Sequence, residues 1–191
     1  MNGLKIIETE DGSHSLLNES LNETYHSTHG AIRESLHVFI NNGLHFLLER
    51  NKLSHLSILE IGFGTGLNAL LAFRESQDQK IKIHFTTVEA FPIAADFIAG
   101  LNYPDQLKFS PRHFVELHHA DWNKTVSITP TFDIEKREGT VQELNFDDEI
   151  FDLVFFDAFA PNKQPEMWER PLLEKIFRSM KNDAVFVTYC A

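Results

Sequence analysis

Gly62, Gly64 and Gly66 alternate with Phe63 and Thr65 directly behind the apolar run Leu56-Ser57-Ile58-Leu59-Glu60-Ile61. Glycines at this spacing let the backbone turn sharply and approach a ligand closely, because no Cβ stands in the way. The run before them reads as a buried parallel strand. Leu67-Asn68-Ala69-Leu70-Leu71-Ala72-Phe73 behind them has helical spacing, so the turn opens onto a helix N-terminus. Strand, glycine turn and helix start make a nucleotide-type cofactor site at a strand's carboxyl end. The third glycine falls one residue earlier than in the dinucleotide fingerprint, and Glu60 would repel a pyrophosphate. An acidic residue with compressed glycine spacing points instead to S-adenosyl-L-methionine, whose amino group and sulfonium are cationic. A plain strand-to-helix connection is the competing reading of the same pattern.

Two further carboxylates stand at strand ends. Glu89 closes an alternating segment, Ile83, Phe85, Thr87, Glu89, where a carboxylate accepts hydrogen bonds from both ribose hydroxyls of an adenosine cofactor. Asp157 closes Phe151-Asp152-Leu153-Val154-Phe155-Phe156 and is followed by Ala158-Phe159-Ala160-Pro161. A carboxylate backed by an aromatic residue and a rigid proline loop suits an amine carried on a planar ring. The carboxylate accepts the amine's hydrogen bonds while the aromatic stacks on the base. An ordinary strand-end charge at Glu89, and a buried cap of its own loop at Asp157, are the alternatives. Between them, Gly139-Thr140-Val141-Gln142-Glu143-Leu144 follows a strand at the place where a backbone amide and an apolar side chain hold an adenine ring, which points to Thr140 and Val141. The histidines (His26 with His29, His37 with His45, His118 with His119) do not join a second pair at ligand spacing, and the single cysteine is Cys190. No metal is expected.

Elements that alternate along the chain must position these groups. Residues 1–29 are polar and turn-rich and read as a hairpin or arm, with Ser27 or Thr28 placed to cap the next helix. Residues 31–50 carry a helical stripe, broken at Asn41-Asn42-Gly43. Strands are expected at 55–61, 82–89, 131–136, 151–157 and 184–189, and helices at 67–74, 92–100, 111–121 and 166–181. Strands alternating with helices imply an α/β fold with a mostly parallel sheet and right-handed crossovers. The expected organisation is one domain, an N-terminal arm and helix (1–50) packed on a cofactor-binding core (51–191). The chain stops at Ala191 on the end of the fifth strand, which suggests a sheet incomplete at its C-terminal end.

Composition sets the outer bounds. The chain has 191 residues, 42% hydrophobic, a length suited to a single globular domain. No apolar stretch reaches the length of a membrane span, the first residues do not read as a signal peptide, and one cysteine suits a reducing compartment. A cytoplasmic location is expected. Lys plus Arg number 17 against 28 Asp plus Glu, a formal net charge of −11. Such a balance disfavours a general polyanion binder. Residues 133–152 hold most of the excess, so any nucleic-acid face is expected toward the C-terminal part.

Three segments together resemble a known family. Glu60-Ile-Gly-Phe-Gly-Thr-Gly-Leu-Asn68, Val88-Glu-Ala-Phe-Pro92 and Phe156-Asp-Ala-Phe-Ala-Pro-Asn-Lys-Gln-Pro-Glu-Met-Trp168 are similar to the methyltransferase component of bacterial tRNA 5-methylaminomethyl-2-thiouridine biosynthesis. Asp11-Gly12-Ser13, Tyr25-His26-Ser27 and 34–39 resemble that family's start. The resemblance implies a Rossmann-like class I fold, S-adenosyl-L-methionine as cofactor and tRNA as partner. The reaction it implies is methylation of the exocyclic amine of 5-aminomethyl-(2-thio)uridine at the wobble position. It also implies a separate flavin-dependent oxidoreductase acting earlier, since no second glycine fingerprint is present. Carried onto these residues, Glu60, Gly62, Gly64, Gly66 and Asn68 hold the methionine part and Glu89 the ribose. Asp157 binds the amine and takes its proton, and Phe159, Pro161 and Tyr25 contact the uracil. The competing functions are a methyltransferase-like module that binds the cofactor without activity, and a nicotinamide-dependent oxidoreductase.

Overall fold

The computed structural model describes residues 3–190. The expectations placed on Met1, Asn2 and the end at Ala191 lie outside the described residues. The polar N-terminal segment folds as a three-stranded antiparallel sheet of β1 (Leu4–Glu8), β2 (His14–Asn18) and β3 (Glu23–Thr24). Its first turn caps the following helix. The amides of Ala31, Ile32 and Arg33 donate to Thr9 Oγ1, Ser13 Oγ and Asp11 Oδ2 at 3.3, 3.2 and 3.0 Å. These are the helix N–H groups without intrahelical partners, so the expected cap from Ser27 or Thr28 is corrected: no side chain of the N-cap residue, Gly30, serves.

Helix α1 (Ala31–Ser35) runs through a π-helical segment (Leu36–His45) into α2 (Phe46–Arg50). The break expected at Asn41-Asn42-Gly43 is therefore absent; the register widens there instead. Gly43 has a packing reason: a Cβ on it would lie 3.1 Å from Val187 and 3.3 Å from Phe155, so any larger residue would press this helix off the sheet by a few tenths of an ångström.

The core follows as β4 (His55–Ile61), α3 (Leu67–Asp78), β5 (Lys82–Glu89), α4 (Ala95–Ala99), α5 (Tyr103–Gln106), α6 (Pro111–His119), β6 (Thr125–Thr129), β7 (Phe132–Glu138), β8 (Phe151–Phe156), α7 (Arg170–Ser179) and β9 (Met180–Thr188). The six strands lie in the order β6-β7-β5-β4-β8-β9. All neighbours are parallel except β6 and β7. Four expectations are corrected here. The helix at 92–100 shortens to α4 and a separate turn of helix, α5, follows it, the segment before β7 contains the antiparallel edge strand β6, the helix at 166–181 starts as a 3-10 turn (Pro165–Trp168) and ends at Ser179, and the last strand begins at Met180.

Alternate residues of β4 and β8 feed two cores. Leu56, Ile58, Leu153 and Phe155 join the cluster that contains Phe39, Leu44, Leu70 and Phe73. Leu59, Ile61, Val154 and Phe156 join the cluster of Leu172 and Ile176. Both faces are thus covered, which is why these strands are apolar throughout. From β4 the sheet grows toward β7 on one side, and from β8 toward β9 on the other. The reversal opens a crevice at the carboxyl ends of β4 and β8, the usual place for a ligand in such sheets. Among the described residues no helix is long and apolar enough to cross a membrane.

Candidate active site

A cavity of about 720 Å³ occupies that crevice, within the size range of ligand sites. Gly62 (φ +94°) and Gly64 (φ +48°) form its floor in conformations that favour glycine. A Cβ on Gly62 would meet the Asp157 carbonyl oxygen at 2.9 Å, and one on Gly64 the Tyr25 ring at 3.1 Å. The Gly62 amide donates to Val88 O at 2.9 Å and the Asp157 amide to Ile61 O at 3.0 Å. These bonds extend the sheet pairing one residue into the loops and set both with respect to β4.

Glu89 lines the cavity and accepts from the Gly64 amide at 2.9 Å and the Phe91 amide at 2.8 Å. Its carboxylate is held by the glycine loop itself. Thr140 and Val141 line the wall beyond β7, where Lys175 fixes their turn by donating to Val141 O and Gln142 O at 3.1 and 2.8 Å.

Asp157 stands on the opposite wall, partly buried, and accepts from Asn68 Nδ2 at 2.9 Å. Burial pushes its carboxyl up to about 8; the nearby Glu34 charge adds to the rise and the Asn68 bond opposes it. Phe159 meets Tyr25 edge to face, with ring centroids 5.4 Å apart. Trp168 explains the end of the Met-Trp motif: its indole N–H donates to Phe159 O at 2.8 Å and its ring packs on Phe156.

The structure brings Gly62, Gly64, Asn68, Glu89, Thr140, Val141, Asp157, Phe159 and Tyr25 to one cavity. It does not bring Glu60, Gly66 or Pro161 to that lining. Pro161 is exposed. Gly66 turns away from the cavity, and a Cβ there would lie 2.5 Å from His118 Nε2. Glu60 is fully buried below the loop, accepts from Thr87 Oγ1 at 2.6 Å, and leaves Oε1 without a partner among the described residues. Burial raises its carboxyl well above the usual range against the Thr87 bond. Sequence reasoning missed Asn18, Ser20 and Leu21 of the arm, which roof the cavity, and Lys163, which bonds Leu21 O and Asn22 O at 3.0 and 3.2 Å. The lining carries the carboxylates Glu89, Glu143, Asp157 and Glu166 against the single lysine Lys163, so its field favours a cationic ligand.

The fold and this site are those of a class I, S-adenosyl-L-methionine-dependent methyltransferase. A family profile of that description matches residues 131–191. Within the class it is related to the MnmC proteins, as the motifs around the glycine loop and Asp157 implied. It is 28% identical over 91% of its length to the tRNA 5-methylaminomethyl-2-thiouridine biosynthesis bifunctional protein MnmC of Leptospira borgpetersenii. To the protein of the same name from Pseudomonas fluorescens it is 32% identical over 82% of its length. The chain spans 28% and 25% of these two relatives. The crystal structure of MNMC2 from Aquifex aeolicus matches 98% of this chain with a TM-score of 0.78 and 27% identity, over 60% of that protein.

Proposed function

We propose that this chain methylates the exocyclic amine of 5-aminomethyl-(2-thio)uridine at the wobble position of tRNA. The observation that carries the reading is Asp157. It is a carboxyl raised to about 8 on a cavity wall, between the glycine loop and the Tyr25–Phe159 aromatic pair. The names of the relatives, in tRNA 5-methylaminomethyl-2-thiouridine biosynthesis, support the substrate.

The residues fit S-adenosyl-L-methionine. Asn68 Oδ1 and Glu60 Oε1 are buried polar atoms without partners among the described residues, the positive-φ glycines leave a cradle, and the lining is acidic. Gly62, Gly64 and Asn68 would hold its methionine part with Glu60 beneath, Glu89 its ribose, and Thr140 and Val141 its adenine. Bound there, it supplies an electrophilic methyl group. Phe159 and Tyr25 would hold the uracil and set the amine against that methyl; alignment of this kind supplies most of the rate in a direct transfer.

In its ionised form Asp157 would attract the substrate ammonium and accept its proton, leaving the nitrogen lone pair available. An ordinary carboxylate near 4 is a poor base for an alkylammonium near 10. At about 8 Asp157 is far better matched, which is the general logic of a tuned catalytic base. The substrate must arrive as a primary amine, so a flavin-dependent oxidoreductase that strips a carboxymethyl group is the proposed earlier partner.

The net charge of −11 favours one second reading, a cofactor-binding module whose RNA contacts come from a partner. Methylation of tRNA from cells lacking their own methyltransferase separates the two. The enzyme converts the aminomethyl nucleoside to its methylaminomethyl form, read by mass spectrometry of the digest. Cofactor binding without any conversion, by the chain alone, would leave only the module.

A further inference from the structure

Thr65, at the centre of the glycine loop, is 1% exposed and is gripped at its hydroxyl and its carbonyl. Its hydroxyl bonds His26 Nε2 at 2.8 Å. Its carbonyl bonds His118 Nε2 at 3.1 Å; a carbonyl only accepts, so His118 carries its proton on Nε2. The grip on the hydroxyl is the unusual one, because His26 belongs to the N-terminal arm rather than to the core.

Several contacts make residues 25 and 26 of that arm a bridge. The amide of Tyr25 donates to Leu16 O at 2.9 Å and that of His26 to Ser15 Oγ at 3.1 Å, so both are fixed to β2. The His26 ring is buried and meets Tyr103 edge-on at 6.4 Å. Tyr25, next to it, touches the place a Gly64 Cβ would fill and packs on Phe159. The arm residues Asn18, Ser20 and Leu21 cover the cavity. At the cavity the arm is tied by the His26–Thr65 bond on the cofactor side and the Lys163 bonds to Leu21 O and Asn22 O on the other; away from it, His14 and Gly12 bond Asn102 and Gly100.

We propose that His26 is a positioning residue for the cofactor loop: its bond to Thr65 links the arm that roofs the cavity to the loop that receives S-adenosyl-L-methionine. Cofactor binding orders the arm through this bond, and the arm in return holds the loop in its binding conformation. Coupling between two binding events or states is reciprocal, so cutting the bond weakens both effects together. His118 remains on the carbonyl and keeps the loop's fold when the hydroxyl is lost. The inference concerns the cofactor loop alone and does not depend on the identity of the RNA.

Amide hydrogen exchange of the full chain, with and without saturating S-adenosyl-L-homocysteine, reads the coupling directly, with calorimetry giving affinity. In the wild type the ligand is expected to slow exchange across residues 18–26 about tenfold. Thr65→Val keeps the shape and removes the hydroxyl; it should lose that ligand-dependent protection and bind about tenfold more weakly, the scale of one buried hydrogen bond. Thr65→Ser should restore both. His26→Phe, which keeps a ring against Tyr103, should reproduce Thr65→Val from the other partner and serves if that variant folds poorly. A purely structural role would change exchange equally with and without ligand. Ligand protection of the arm that persists in Thr65→Val and His26→Phe, or that is absent in ligand-saturated wild type, overturns the proposal.

Discussion

Replacing Asp157 by asparagine removes an ionisable group while keeping an oxygen to accept the Asn68 amide now found at 2.9 Å. The consequence for stability follows from the displaced carboxyl. Its folded-state value is about 8 against an ordinary 3.8, so the folded protein holds this proton more tightly than the unfolded chain does. Below about pH 4 both states are protonated and the residue costs nothing. As pH rises from there to about 8, the unfolded state gains by ionising and the fold loses stability relative to a neutral side chain. At pH 7 the difference of about three pH units corresponds to ~4 kcal/mol at about 1.4 kcal/mol per unit. Rearrangement and water reaching a partly exposed carboxyl reduce this to about 2 kcal/mol, a rise in Tm of roughly 4–8 °C for a chain of this size. Asp157→Asn should therefore melt higher than wild type at pH 7–8, with the gap closing toward pH 4. Its methylation turnover should fall by on the order of 10²-fold or more, the range for a positioned base, while S-adenosyl-L-homocysteine affinity changes far less. The assay pairs thermal melts across a pH series with single-turnover methylation of tRNA. Equal or lower melting at pH 7–8, with no divergence from wild type as pH rises, would refute the strained-carboxyl argument; retained turnover would make Asp157 structural.

Gly64→Leu should abolish cofactor binding without unfolding the protein, since φ is +48° and the side chain would enter beside Tyr25; unchanged calorimetric affinity in a folded variant would remove the loop from the cofactor site. Glu89→Ala leaves the Gly64 and Phe91 amides without their acceptor and should weaken S-adenosyl-L-homocysteine about 10- to 100-fold, the worth of charge-assisted bonds, whereas a smaller change would mean that Glu89 only shapes the loop. Phe159→Ala should raise the KM for tRNA about tenfold or more through lost base stacking while cofactor affinity stays within about twofold; parallel losses in both would assign Phe159 to the fold.

The local parts of the site are written in runs of consecutive residues. An apolar strand, a glycine turn and a helix start occupy consecutive residues, so β4, the loop at Gly62–Gly66 and α3 were legible before any coordinates, as was Asp157 at the end of a strand apolar on both faces. Glu89 was legible by the same rule, because a strand's carboxyl end is set by where its alternation stops. The tertiary structure decided whatever depends on contacts between distant segments. The helix cap at Ala31 comes from Thr9, Asp11 and Ser13, a choice invisible to a search for a cap next to the helix. The stretch around Gly43 stays helical because the sheet surface at Val187 and Phe155 leaves room for a bare backbone, which outweighs a turn-forming local sequence. Strand β6 pairs antiparallel at the edge with β7, and its short alternation carries no signal without that partner. Gly66 sits within the motif yet lies off the cavity lining, since a turn with three positive-φ residues sends successive positions in different directions; Glu60 lies off it because it is still part of β4 and is buried against Thr87 of β5. Thr65 and His26 each fall in a motif segment, but nothing in either links them; only the folding of the arm over the loop, 39 residues apart in sequence, puts a histidine on that hydroxyl.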